Sequence, residues 1–321
     1  MQFPLFTPPI EWVMPDGYPD LSHAKEVAID LETRDPNLLS HGSGWARGDG
    51  EVIGVAVAVG ADSWYFPIRH QNGGNLDAKQ TLAWVKDLCS IDRDYIMHNA
   101  SYDAGWLWRE GIEVKGRIID TMIVGALLDE NRFSYALNAL GRDYLGQRKN
   151  ETELNEAAKS FGVNAKSEMW KLPAHFVGAY AEQDASLTLK LWKRFQGEMA
   201  KEDIQDVFNL ETNVFQVVLA MRKQGVRVDL EKAEILKLQM EKQEREALES
   251  VGGGDIDIWA ATSIAKAFDK EGLKYPRTAK VDAPSFTKNF LANHEHALPR
   301  AVVRARELNK ARTTFIDTIL K

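Results

Sequence analysis

Cysteine is almost absent from this chain: Cys89 is the only one in 321 residues. One thiol excludes disulfides within the chain and zinc sites built from cysteine clusters, and it fits a reducing cytoplasm. With no paired histidine motif, Cys89 reads as buried filler. Long apolar runs are absent as well. None approaches the roughly 20 residues that a membrane-spanning helix needs, so no membrane association is expected. Met1–Pro19 holds five prolines and no lysine or arginine, unlike a secretory leader. A surplus of positive charge is also missing, since the formal net charge is −7. The balance is uneven, however. From Glu211 onward there are 19 Lys and Arg against 16 Asp and Glu, and residues 1–210 hold the other 21 and 31. An acidic first part that could collect cations, followed by a mildly basic part, is compatible with a phosphate-bearing substrate.

The chain reads as mixed α/β followed by helices. After an extended, Pro-punctuated lead-in over 1–23, Val27-Ala28-Ile29-Asp30-Leu31-Glu32-Thr33 has the β-branched, apolar character of a buried strand that ends in acids. Residues 51–59 and 63–67 read as two further strands. Their short connections predict an antiparallel meander. A helix is predicted over 78–89, a short strand over 95–99, a helix over 101–110 and another short strand over 117–119. Asp120 or Thr121 caps the next helix. Helices follow at about 135–145 and from Leu172 or Pro173 to about Met199, with 146–169 read as loop plus a short helix. From Asp203 the pattern is helical: 207–224, 230–250 capped by Asp229, 262–271, 285–293 and 298–320.

Three acidic groups stand out. Asp30 and Glu32 are two apart on a strand, so their carboxylates point to one side. Two carboxylates at the end of a buried strand repel each other and lose solvation, and a hard divalent cation relieves both costs. Asp103 follows Asn99 by four residues and falls in the first turn of a helix. Tyr180 and Asp184 are i and i+4, so they share a helix face, where a phenol beside a carboxylate can position a water. Taken singly, each has a plainer reading: a polar strand end, a residue complementing a helix dipole, and a core tyrosine near a surface acid.

In order, Asp30-x-Glu32, Asn99-x-x-x-Asp103 and Tyr180-x-x-x-Asp184 resemble the proofreading 3′→5′ exonucleases that carry four metal-binding acids and a tyrosine (the DEDDy type). These enzymes have a ribonuclease-H-like, DnaQ-like fold. A sister branch has histidine five positions before the last Asp, where this chain has Ala179. The resemblance covers about 24–200. It implies that Asp30, Glu32, Asp103 and Asp184 bind two divalent ions, Mg²⁺ or Mn²⁺, and that Tyr180 orients the attacking water. It places Leu31, Thr33, Asn99 and Tyr102 near the terminal nucleotide and gives Asp120 a structural role. The implied reaction is hydrolysis of the last phosphodiester of a single-stranded DNA 3′ end, releasing nucleoside 5′-monophosphates.

Residues 201–321 resemble the thumb-like start of the polymerase region in DNA polymerase I (family A). The matching stretches are 210–229, Gly272-Leu273-Lys274-Tyr275-Pro276, Ala283-Pro284-Ser285-Phe286 and 306–315. Arg300, Arg304, Arg306, Lys310 and Arg312 form a basic run, of which Arg304, Lys310 and Arg312 are candidate contacts to a DNA backbone, although a solvated helix face is the alternative. Lys321 falls about where that family's palm begins. Palm and fingers therefore have no sequence here, and polymerase activity is not expected of this chain alone. The implied partners are single-stranded or primer–template DNA and, in a split polymerase of phage type, a second polypeptide bearing palm and fingers. Two alternatives are a ribonuclease-D-like 3′→5′ RNase and a DNA-binding polymerase subunit that works only with such a partner chain.

Overall fold

The structure, a computed structural model, describes residues 12–320. Residues 1–11 of the expected lead-in, and Lys321, lie outside the described residues. Five strands form one sheet: β1 (Glu26–Arg34), β2 (Glu51–Val59), β3 (Asp62–Pro67), β4 (Asp94–Met97) and β5 (Arg117–Asp120), in the order β3-β2-β1-β4-β5. The tight turn at Gly60, where φ is +62°, makes β2 and β3 antiparallel, and β1 is antiparallel to β2. β4 and β5 run parallel to β1 and to each other, because a helix crosses over between them. The mixed α/β sheet is therefore as the sequence predicts.

β1 feeds both faces of the sheet. Val27, Ile29 and Leu31 pack into one core, with Val85 and Leu88 of α3 (Ala78–Cys89) and Ala104 and Leu107 of α4 (Ala100–Arg109). Ala28 faces the other core, built with Ala181, Ala185 and Leu189 of the long helix α8 (Gly178–Glu202). Alternation sends Asp30 and Glu32 to the same face as Ala28, toward α8. Opposite the Glu32–Thr33 step, β2 carries one extra residue: Glu32 pairs with Gly54, but Thr33 pairs with Val52. Such bulges re-aim strands beside functional sites.

Gly54 is required by what lies over it. A Cβ there would sit 2.1 Å from the hydroxyl of Tyr65, so the phenol occupies the room that a side chain would take. That hydroxyl is 2.7 Å from His70 Nε2, and His70 Nδ1 is 2.9 Å from the carbonyl oxygen of Leu172. Capture of Leu172 holds the chain extended there, so the helix predicted from Leu172 or Pro173 is instead a 3₁₀ turn over Ala174–Phe176, and α8 begins at Gly178.

Two one-turn helices, α1 (Leu38–His41) and α2 (Gly44–Arg47), occupy the loop after β1. α5 (Thr121–Leu128), α6 (Leu137–Leu145) and α7 (Thr152–Phe161) lead to α8, and α9 (Gln205–Gln224) follows it. Two compact units result, the first ending at Gly225 and the second beginning at Val226. The packing therefore divides one helix beyond the 200/201 division drawn on sequence, since Phe215 and Leu219 of α9 share the core of Val27 and Ile29. Residues 12–23 pack as well: Tyr18 stacks on Phe66 and Trp84, with centroids at 5.5 and 5.3 Å.

The second unit comprises α10 (Leu230–Glu249), capped by Asp229 as predicted, α11 (Ala261–Lys270), α12 (Lys288–Ala292), α13 (Ala297–Ala311) and α14 (Asp317–Ile319). Its core centres on Phe268, Phe286, Leu291, Leu298 and Val302. The predicted helix over 285–293 is shorter because Ser285 donates to the Pro276 carbonyl and Thr287 caps the helix only from Lys288. The single final helix predicted over 298–320 is interrupted by a π-helical turn over Arg312–Ile316. There the Thr313 hydroxyl takes the Asn309 carbonyl and Arg312 is drawn to acids on α10. Phe268→Ala is expected to destabilise this unit by about 3–5 kcal/mol. Hydrogen exchange would show amide protection lost across 226–320 and retained in the sheet.

Candidate active site

Asp30 and Glu32 from β1 and Asp184 from the second turn of α8 converge. One carboxylate oxygen from each lies within 4.8 Å of the others, a group of the kind that can hold a metal ion. Asp184 is buried, and its Oδ1 has no hydrogen-bond partner. Asp30 and Glu32 are partly exposed. Tyr180 lies one turn before Asp184 on the same face, so the i,i+4 reading places both together. Ala179, which stands where a histidine would in the sister branch, lines a cleft with Ser63, Tyr180 and Gln183.

Asp103 is not one of the three acids whose oxygens meet, although it feels the charges of Asp30 and Glu32. It is 3% exposed and accepts the backbone N–H of Leu31 at 3.0 Å, which ties the first turn of α4 to the middle of β1. The Leu31 side chain is turned to the opposite core. Asn99 is exposed, with φ at +60°, a conformation that asparagine tolerates better than most residues. That kink is held by Asp120, whose carboxylate accepts the N–H groups of Asn99, Ala100 and Met122 at 2.8–2.9 Å. Asp120 thus serves the backbone of two strand-to-helix junctions. Thr33 and Tyr102 are joined by a hydroxyl–hydroxyl hydrogen bond of 2.7 Å, and both line a cleft of about 320 Å³ with Asp35 and Leu39.

Two participants escaped the sequence reading. Lys149, in the segment read mainly as loop, donates from Nζ to Asp184 Oδ2 and to the Tyr180 hydroxyl at 3.3 Å, and lies 5.0 Å from the centroid of that ring. Gln147-Arg148-Lys149-Asn150 reads as solvated charge, and only three-dimensional packing turns it inward. Asp35, its side chain buried, accepts the N–H of Gly44 and the Tyr102 hydroxyl. Its one sequence signal was the turn-forming Asp35-Pro36 pair.

The electrostatics follow from burial. Desolvation, followed by the charge of Asp184, raises Asp30 to about 7, with Lys149 pulling it down. Glu32 is held well above the ordinary carboxylate range by burial and by the charges of Asp30 and Asp184. Asp103 is raised by burial and by Asp30, against the Leu31 N–H, and Asp184 is raised by burial, against Lys149. Burial and the nearby carboxylates also raise the Tyr180 phenol, which therefore keeps its proton.

In the second unit, Arg304 and Lys310 are exposed on α13. Arg312 is not free for phosphate: it pairs with Glu241, Glu244 and Asp317. Arg306 is also committed, donating to the carbonyls of Ile258 and Phe286.

A protein-family model described as 3′-5′ exonuclease matches residues 18–200, more than half of the chain. The chain belongs to the 3′→5′ exonuclease family of DNA polymerase A. The ribonuclease-H-like fold and exonuclease class inferred from the acids are those of this family. The DNA-directed DNA polymerase of Pseudomonas phage M6 is 34% identical, covering 99% of this chain and 50% of its own length. DNA polymerase DpoZ of Salmonella phage PMBT28 is 30% identical over 94% and 49%. The chain thus spans about half the length of the curated relatives it matches. Among solved structures, the POL domain of Pol1 from M. smegmatis, in complex with DNA primer-template and dNTP, matches with a TM-score of 0.67 at 17% identity. It covers 93% of this chain and 47% of its own, and at that identity it speaks to the fold alone.

In the unfolded chain a carboxylate ionises near pH 4, whereas folded Asp30 ionises near 7. Between these values the folded state holds more protons, so stability falls as pH rises across that window. Asp30→Asn is therefore expected to raise the thermal midpoint in EDTA at pH 8, by about 2–4 °C per kcal/mol relieved. Toward pH 4 the gain should vanish, as a melting series from pH 4 to 8 would show.

Proposed function

We propose that residues 24–200 remove nucleotides from the 3′ end of single-stranded DNA, as the proofreading part of a family A polymerase, and that 201–321 begin its polymerase region. The convergence of Asp30, Glu32 and Asp184 carries this reading. Its donors are all carboxylate oxygens, one of them buried without a partner, which suits hard divalent ions such as Mg²⁺ or Mn²⁺. Asp30, Glu32 and Asp184 would hold the ions, with Asp103 completing the set. Two such ions, when bound, lower the pKa of a water and neutralise charge on the departing 3′ oxygen.

The chain's own groups supply the rest. Tyr180 keeps its phenolic proton and so can orient a water against the phosphate without becoming a base itself. Thr33 and Tyr102, linked through their hydroxyls, line the cleft where the terminal nucleotide would lie, with Asn99 exposed at the start of α4. The Leu31 contribution is its backbone, which fixes Asp103. Direct attack by water is the step these groups serve.

DNA is favoured over the RNA of a ribonuclease-D-like enzyme because the relatives named above are DNA polymerases, matched along nearly the whole chain. A component bearing palm and fingers, in the same polypeptide or a second one, is supported by α9. Val207, Leu210, Val214, Val217, Val218 and Met221 lie at helical spacing on it, and each is more than 40% exposed.

A 5′-labelled single-stranded DNA oligonucleotide with Mg²⁺ or Mn²⁺ should shorten from its 3′ end. EDTA should abolish the ladder, Asp30→Ala should slow it by at least about 100-fold, and Tyr180→Phe by about 10-fold or more. Undegraded oligonucleotide with folded protein in both metals would refute a self-sufficient exonuclease.

A further inference from the structure

The acidic cluster contains a cation of its own. Lys149 is only 11% exposed, and the carboxylate it meets is 6% exposed. Burying an ammonium costs several kcal/mol unless it is paired, so a lysine is not turned inward by chance. Its backbone is secured on both sides. The Lys149 N–H donates to Asn138 Oδ1 of α6 at 3.2 Å, the Asn150 N–H donates to Gln183 Oε1 of α8 at 2.8 Å, and Gln183 Nε2 reaches the Arg148 carbonyl at 3.4 Å. The loop is thus tied to α6 and to the residue preceding Asp184, which aims the ammonium between Asp184 and the face of Tyr180.

We propose that Lys149 is a positioning residue that competes with divalent metal for Asp184 and thereby sets the metal affinity of the cluster. The proposal rests on the reading above, in which these acids hold the metal. Lys149 is a cation among three converging carboxylates, so it offsets in part the negative charge that a divalent ion would otherwise meet. The ammonium holds Asp184 Oδ2 and leaves Oδ1 unpartnered, so an incoming ion meets its charge across a shared carboxylate. With Lys149 in place each further cation meets added positive charge and is favoured most once a phosphate brings negative charge of its own. Lys149 in this way makes full metal loading depend on the DNA end, while holding Asp184 and Tyr180 in register without metal.

The test is direct binding of Mn²⁺ to the metal-free whole chain, followed by the paramagnetic resonance signal of the free ion. Removing a nearby positive charge should tighten Mn²⁺ binding by about tenfold in Lys149→Met. Lys149→Arg should keep the wild-type affinity. The rise in thermal midpoint on adding Mn²⁺ should be larger in Lys149→Met, because tighter binding gives more linked stabilisation. A lysine with a merely structural role would give the opposite sign, since a loosened site binds metal more weakly. Equal or weaker Mn²⁺ binding in folded Lys149→Met overturns the proposal. Lys149→Gln gives the same comparison should the methionine variant fail to fold. Wild-type Mn²⁺ binding that is indifferent to Glu32→Gln would overturn the acid-cluster reading itself, and the role of Lys149 with it.

Discussion

Mutual repulsion among crowded carboxylates is the constraint on which this molecule turns. Asp30, Glu32 and Asp184 are gathered within a few ångströms, with buried Asp103 feeling the charges of Asp30 and Glu32, in surroundings that strip away water. Left alone, such a group favours protons or separation. The fold prevents separation: two of the acids sit on the central strand, one on the longest helix and one on a helix whose first turn is hydrogen-bonded to that strand. What remains is a site under electrostatic stress that a cation relieves.

The surrounding architecture supplies rigidity to that arrangement. Alternation along β1 divides its residues between two cores, so the strand cannot slip by one position without moving its apolar residues out of both. Asp120 spends its carboxylate on three backbone N–H groups at the junctions of β4 with α4 and β5 with α5, and so sets the angle at which Asp103 arrives. The fold and the chemistry share this junction.

Much of this was legible in the sequence because it is local. The strand limits 51–59 and the helix limits 78–89 match those observed, and period-2 spacing put Asp30 and Glu32 on one face. The i,i+4 pairing of Tyr180 with Asp184 also needed no tertiary information. Long-range capture was what stayed hidden. His70 takes the Leu172 carbonyl from 102 positions away and delays α8 to Gly178. Lys149 crosses 35 positions to reach Asp184, and Arg312 is bound by acids on α10, with nothing in the basic run itself to show that its charge was spent. The boundary near residue 200 followed a change of periodicity, whereas α9 joins the first unit through side chains that its own pattern does not assign.

The Tyr65–His70–Leu172 chain has a direction. A carbonyl oxygen can only accept, so His70 Nδ1 carries the proton toward Leu172. Burial lowers this imidazole to about 4, so it is neutral at physiological pH, and its Nε2 is then left as an acceptor. The Tyr65 hydroxyl must therefore donate to His70. Its single hydrogen points away from Asp30 and Glu32, whose charges reach this phenol and raise it further. A backbone carbonyl thus sets the polarity of a relay that ends beneath the acids with lone pairs and no proton. Tyr65 is closed to them as a hydrogen-bond donor, and their compensation has to come from other groups, Lys149 among them.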